Sequence, residues 1–173
     1  MAKYPVWSGL DELTVAKLMY MQEDWAVKAS NTTRTSTTTL ADDADLTLAV
    51  EANATYYIEF SVRFGASTTE LIKTAWNTPT GASGSRTVLG PASNATNTSA
   101  DQITMRAGGH AFATAIVYGT RNGTTVASGA LEYGVILTGA TAGNVTLQWA
   151  QSTSGTGGTV VFAQSYAMAK RLA

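Results

Sequence analysis

The sequence predicts an all-β fold, an antiparallel sandwich or barrel for which the jelly roll is a natural candidate. About eight to ten strand-like runs follow one another, with turn signals between them and no helix that could serve as a crossover. The clearest run, residues 55–64, alternates large apolar residues with polar ones, which is the period of a strand with one face in a core. Arg121-Asn122-Gly123 is a strong tight-turn signal between two later runs.

Length and composition favour one compact domain. The chain has 173 residues and is 45% hydrophobic, which is enough to bury a proper core. Only 13% of its residues are charged, against about 25% in ordinary globular proteins. We therefore expect either a neutral surface rich in Thr, Ser and Asn, or a surface partly hidden in an assembly. The formal net charge of −1 creates no field toward nucleic acid or an anionic membrane, so neither is an expected partner.

Several kinds of chemistry have no residues to support them. Cysteine is absent, which excludes disulfides, thiolate catalysis and zinc-thiolate sites. The N-terminus has no apolar signal region, and no run approaches the ~18 apolar residues of a membrane span. We therefore expect the protein to be made in a cytoplasm, with no membrane as partner.

The first 24 residues predict an appendage to the domain formed by residues 25–173. A short arm, residues 1–9, precedes the one convincing helix, Leu10 to Gln22, whose apolar stripe is wider than a solvent-exposed helix face requires. At about three turns this helix is too short to be stable alone, so it must dock. It either packs on its own sheet or forms an anchor inserted into a neighbouring subunit or a larger assembly.

The middle of the chain predicts strands joined by turns and long loops. Residues 31–40 are Thr-rich and suit an edge strand, and Leu46, Leu48 and Val50 alternate cleanly. Residues 81–102 are dominated by small and polar types, which indicates surface loops around one short strand near Arg86 to Leu89. Further strands are expected at residues 70–76, 103–106, 110–119 and 125–139.

The last thirty residues, Asn144 to Ala173, predict a hairpin with a roomy loop at residues 152–158. The second arm carries no charge until Lys170, and it places Phe162, Tyr166 and Met168 on one face and small residues on the other. A strand without charge on either face is expected to be covered on both. A chain of this size supplies one cover, and the second could be another copy, so these three large residues are candidate interface residues.

The sequence offers only weak candidates for catalytic, metal-binding or sugar-binding residues. The single histidine, His110, leads into a strand and is favoured as a turn or interface residue, not a catalytic base. Asp42, Asp43 and Asp45 could bind a hard cation weakly, but their spacing lacks the Gly and distal Glu of a calcium loop, so a solvated turn is favoured. Trp76 could stack on a sugar if it lies in a loop, although packing is the favoured role. We predict no catalytic residue, no metal and no cofactor.

Three segments together resemble a known family. They are PVWSGLDELTVAKLM, RTSTTTLADDADLTLAVEANATYYIEF and TLQWAQSTSGTGGTVVFAQSYAMAKRL. They are similar to small virion structural proteins, minor tail or head-associated, encoded by tailed phages and prophages of actinobacteria. The strand pattern of that family is similar to the trimeric jelly rolls of the tumour-necrosis-factor and complement globular-head type.

The resemblance implies a homotrimer on a virion and no enzymatic activity. It also implies that the arm and helix are the attachment segment, which here involves Trp7, Leu10, Leu13, Leu18 and Met19. The expected partners are sister copies and the major capsid protein or other virion proteins, with decoration of the head favoured. One alternative is a minor tail protein or tail-tip adhesin that touches a host cell-surface glycan through the loops. A second is a glycan-cleaving phage enzyme using its Asp and Glu pairs.

Overall fold

The structure is a computed structural model that describes residues 22–96 and 105–173. These residues form strands joined by turns and loops, with no helix among them. The strands are β1 (Asp24–Val27), β2 (Thr32–Arg34), β3 (Ala41–Val50), β4 (Thr55–Ala66), β5 (Ile72–Asn77), β6 (Ser83–Pro91), β7 (Met105–His110), β8 (Ile116–Tyr118), β9 (Gly123–Leu137), β10 (Gly143–Gln151), β11 (Thr159–Val161) and β12 (Tyr166–Arg171).

The strands form two sheets in which every pair is antiparallel. The large sheet has the order β1-β12-β4-β9-β6-β7, and β11 adds to it by pairing with β4 and β2. The small sheet has the order β3-β10-β5-β8. The predicted all-β antiparallel class is therefore confirmed. The predicted N-terminal helix lies almost wholly outside the described residues.

The main strand pairs are nested along the chain. β1 pairs with β12, β3 with β10, β4 with β9, and β5 with β8. These pairs fall alternately in the large and the small sheet. The chain thus forms one long antiparallel ribbon that winds back and forth between two sheets, with β6 and β7 extending the large sheet beyond β9.

Strand β4 is the central core strand that the sequence predicts. It lies between β12 and β9, and its inward side chains are buried while the alternate ones point outward. Ile58 and Phe60 are fully buried, and Phe60 packs edge-on against Trp76 of the small sheet with ring centroids 5.1 Å apart. Each such side chain contributes about 1.5–3 kcal/mol by leaving water. The core therefore lies between the two sheets.

The predicted hairpin at the C-terminus is wrong. Strand β10 belongs to the small sheet, whereas β11 and β12 belong to the large one. The loop between them crosses from one sheet to the other, which a chain rich in small residues can do over the ~10 Å that separates packed sheets. Gln151 fixes the loop, because its side-chain amide donates to the Gly155 carbonyl at 3.0 Å and accepts from the Gly155 backbone at 3.2 Å.

The predicted second arm is also interrupted. Residues 162–165 turn between β11 and β12, with Gln164 in the left-handed region at φ 67°. Ser165 stabilises the turn by accepting from the Arg63 backbone at 3.0 Å and donating to the Phe162 carbonyl at 2.9 Å. Phe162 consequently lies outside the strand that carries Tyr166 and Met168.

Strand boundaries earlier in the chain also differ from the prediction. The expected edge strand at residues 31–40 is reduced to β2, and the short strand expected near Arg86 to Leu89 is part of the longer, nine-residue strand β6. Small polar residues such as Ser83 and Ser85 have little strand propensity, but both pair with β9, and the later part of β6 also pairs with β7. Tertiary pairing overrides local composition here.

Candidate assembly surface

A charged network inside the core joins the two sheets. Arg86 of β6 and Glu132 of β9 form a fully buried ion pair. The Glu132 carboxylate also accepts from the Trp76 indole and the Tyr118 hydroxyl, both at 2.7 Å, and from the Thr74 hydroxyl. Burial raises the pKa of Tyr118, and the Glu132 charge raises it further. Because every partner is a core residue of one of the sheets, this network is suited to holding them together.

The network includes Trp76, which the sequence offered as a candidate sugar-binding residue. Trp76 is 1% exposed and stacks on Phe112 at a centroid distance of 5.5 Å. A side chain buried in this way has no free ring face for a sugar. The suggestion of a loop-borne sugar platform at Trp76 is therefore wrong, and the packing role that the sequence favours is confirmed.

A second buried charge cluster overturns the predicted solvated turn at residues 42–45. Asp43 lies within β3, is 1% exposed, and binds the buried Lys28 ammonium through both oxygens at 3.0 Å. It also accepts from the Trp149 indole at 2.9 Å. Asp45 adds a bond to Lys28 at 3.1 Å, whereas Asp42 lies at the surface and accepts from Asn77 and Gln148. The cluster ties the end of β1 to the small sheet.

The surface that stands out is the side of the large sheet that points away from the core. We call it the outer face, and define it as the outward residues of β1, β12, β4 and β9. It exposes large apolar side chains, with Val27 at 59%, Trp25 at 55% and Leu137 at 49% exposed. Its members are Trp25, Val27, Thr55, Tyr57, Glu59, Ser61, Arg63, Gly129, Leu131, Tyr133, Val135, Leu137, Tyr166, Met168 and Lys170.

Strand register brings the aromatic residues of the outer face together around one carboxylate. Glu59 faces Met168 across one strand pair and Tyr133 across the other. Its carboxylate accepts from the Tyr57 hydroxyl at 2.9 Å and the Tyr166 hydroxyl at 3.0 Å. Burial, together with the hydrogen bond to Glu59 and its charge, raises the pKa of Tyr57 to about 12 and also raises that of Tyr166.

Ring contacts extend the cluster to both sides of Glu59. Trp25 lies against Tyr166 with centroids 5.4 Å apart, and Tyr57 lies near Tyr133 at 6.4 Å. The opposite side of the molecule differs. The exposed positions of β3 are small or acidic, and Asp42 there is engaged by neighbouring amides. The two outward sheet surfaces are therefore chemically distinct, and the apolar one belongs to the large sheet.

The structure brings together two of the predicted interface candidates. Tyr166 and Met168 lie side by side on β12, half-buried on the outer face, while Ala167 and Ala169 point into the core. Phe162 lies in the preceding turn, half-buried beside Gly65. The candidates Trp7, Leu10, Leu13, Leu18 and Met19 lie outside the described residues, so their role in attachment stays a prediction.

Sequence reasoning missed most of the outer face. Trp25, Tyr57, Tyr133 and Val135 belong to it because their strands happen to be neighbours, although β1 and β12 are far apart in the chain. The available signal in the sequence was that Tyr57 and Tyr133 stand at outward positions of their strands. Within residues 22–96 and 105–173, no group of acidic or histidine side chains could hold a metal ion, and no helix is long and apolar enough to cross a membrane.

No protein-family model matches the chain, and no curated protein matches it. Among solved structures, the chain is similar to the tripod (BppUct-A-L) from the baseplate of bacteriophage Tuc2009, with 9% identity and a TM-score of 0.35 over 96% of this chain and 72% of that one. It is also similar to the infectious bursal disease virus Gt strain and to the VP2 subviral particle of that virus, each with 11% identity and a TM-score of 0.23 over 88% of this chain. This chain spans 38% and 40% of those two viral chains.

Proposed function

We propose that this protein is a non-enzymatic structural protein of a phage virion, which assembles as a homotrimer through its outer face. The observation that carries the proposal is the contiguous, aromatic and largely uncharged outer face of the large sheet. In the proposed trimer, sister copies cover the residues around Tyr166 and Met168. The nested ribbon of strands supports the finer assignment to a jelly roll of the tumour-necrosis-factor and complement globular-head type.

Exposed apolar area on the outer face favours association. Monomeric proteins rarely leave a large contiguous apolar patch in water, and such patches mark interaction sites. Trp25, Val27, Val135 and Leu137 are all at least 40% exposed on one sheet surface. Covering them contributes about 25 cal/mol per Å² before the entropy of association is subtracted. The polar surface of the small sheet offers no comparable gain, so we place the interface on the outer face.

The arrangement of carboxylates supports a structural role over the alternative of glycan cleavage. Asp43 and Glu132 are buried and held by cations and indoles, so neither can reach a substrate. Asp42 is engaged at the surface by two amides, and Glu59 by two tyrosines. These four carboxylates therefore do not form the free pair that general acid and base catalysis of glycosidic hydrolysis requires.

Residues 1–24 are proposed as the attachment segment and the head surface as the location. In this proposal Trp7, Leu10, Leu13, Leu18 and Met19 contact the major capsid protein or another virion protein. A position at the tail tip, where loops would contact a host cell-surface glycan, is the alternative location for the same trimer. The width of the apolar helix stripe supports docking in either place.

Sedimentation of the purified protein tests the assembly. We expect the wild type to sediment as a trimer at micromolar concentration. The Val135→Lys variant, which places a charge in the middle of the outer face, should shift it to monomers. Ala49→Lys, the matched control, adds the same charge at an exposed position of β3 and should leave the trimer intact. A wild-type protein that is only monomeric would contradict the proposal.

A further inference from the structure

The outer face carries two charged side chains, Glu59 and Arg63, that have no oppositely charged partner in the part of the chain that the structure describes. Glu59 is bound within its own chain by tyrosine hydroxyls, which are neutral donors. Arg63 is exposed and donates to the side-chain oxygen of Gln164 at 2.7 Å. Among the described residues, neither side chain takes part in an ion pair. By contrast, Lys170 at the margin of the same face is already paired with Glu23 at 3.3 Å.

Both unmatched charges lie on β4 and point the same way. Arg63 follows Glu59 by four residues, so the two side chains leave the sheet on the same face about 13 Å apart. They are too distant to pair with each other. Both nevertheless lie on the outer face that the proposed assembly would cover.

The surroundings of both groups leave room for a charge from outside. Gly129 is the register partner of Arg63, and a side chain built at Gly129 would meet nothing within 4 Å. The surface beside Arg63 on the β9 side is therefore open, and a carboxylate from outside could enter it. Glu59 requires a cation, because burying an ionised carboxylate in an interface with only neutral donors around it is costly unless the partner supplies a positive charge.

We infer that the cover is a second copy of this chain, and that Glu59 of one copy forms an ion pair with Arg63 of the next. The inference rests on the proposed assembly through the outer face and specifies its register. In a closed ring each copy gives its acid to one neighbour and its cation to the other, so all charges are matched. An unrelated partner would have to bring both opposite charges at the same spacing, whereas a sister copy carries them already.

Charge reversal tests the pair. Glu59→Arg and Arg63→Glu, each alone, bring like charges together across the interface and should raise the dissociation constant of the assembly at least about tenfold. The double variant Glu59→Arg/Arg63→Glu exchanges the charges and should restore the dissociation constant to near the wild-type value. Lys73→Glu, the same kind of reversal on the small sheet, is the control that should change nothing. Circular dichroism checks that each variant is folded.

If charge reversal disturbs folding, a double-mutant cycle that only neutralises the two charges still tests the pair. Glu59→Gln and Arg63→Gln should each weaken assembly, and the double variant should be no weaker than the worse single variant, since both remove the same pair. Additive losses, or a charge-swapped double variant that fails to reassemble, would overturn the ion pair while leaving the trimer in place. A wild type that never assembles would instead remove the proposed assembly itself.

Discussion

At the scale of single residues, the described core depends on charges that are matched inside it. Arg86 and Glu132 are both fully buried, and Arg86 also donates to the carbonyls of Thr74 at 3.0 Å and Thr114 at 2.7 Å. Removing the cation leaves a buried carboxylate without compensation. We expect Arg86→Met to lower the free energy of unfolding by roughly 3–5 kcal/mol, measured by denaturant titration.

The control for this prediction is a solvent-exposed ion pair in the same protein. Lys170 and Glu23 are 46% and 37% exposed as side chains, and such pairs contribute about 0–1 kcal/mol. Lys170→Met should therefore change the unfolding midpoint little. Equal losses in the two variants would mean that the buried network does not hold the sheets together.

At the scale of elements, β9 depends on a glycine at a point where its paired neighbour β6 lies very close. A side-chain carbon at Gly134 would lie 2.3 Å from the Ser85 carbonyl oxygen, a backbone atom that cannot move without separating the strands. Overpacking of this kind typically costs about 1–3 kcal/mol and sometimes more. We expect Gly134→Ala to lower the melting temperature clearly, whereas Gly109→Ala, where an added carbon meets nothing within 4 Å, should not.

At the scale of the whole molecule, we expect the sandwich to fold and assemble by itself and the preceding segment to attach it to the particle. The described sheet pairing begins at Asp24 in β1. A variant lacking residues 1–21 should therefore still fold and assemble, because the strands and the outer face are intact. The same variant should be missing from purified particles, as judged by electron microscopy and by gel analysis of the virion. Retention on the particle would show that attachment uses another surface.

Copy number on the particle decides between the two locations. A head-decorating trimer should be present in proportion to the capsid lattice, whereas a tail-tip protein should form a single ring. Quantifying the protein against the major capsid protein of purified virions makes the measurement. A ratio of one ring per particle would contradict head decoration and leave the trimer unaffected.

The sequence by itself determined the fold class and the inward face of its most regular strands. In β4, the alternation of Ile58, Phe60 and Val62 with polar residues is a local property of an extended backbone, whose side chains change sides at every residue. The same alternation predicts that the small side chains of β12 lie on the face opposite Tyr166 and Met168. It also identified the all-β class, because no local pattern there could form a crossover helix.

Only the tertiary structure decided which strands are neighbours and which charges are buried. Asp42, Asp43 and Asp45 look alike in sequence, yet Asp43 alone meets the Trp149 indole, a residue 106 positions away. The arms of the expected hairpin separate into different sheets, and β1 joins β12 from the other end of the chain. The outer face is assembled in this way from distant segments. Periodicity acts between adjacent residues, whereas sheet order and charge burial depend on contacts that form only when the whole chain has folded.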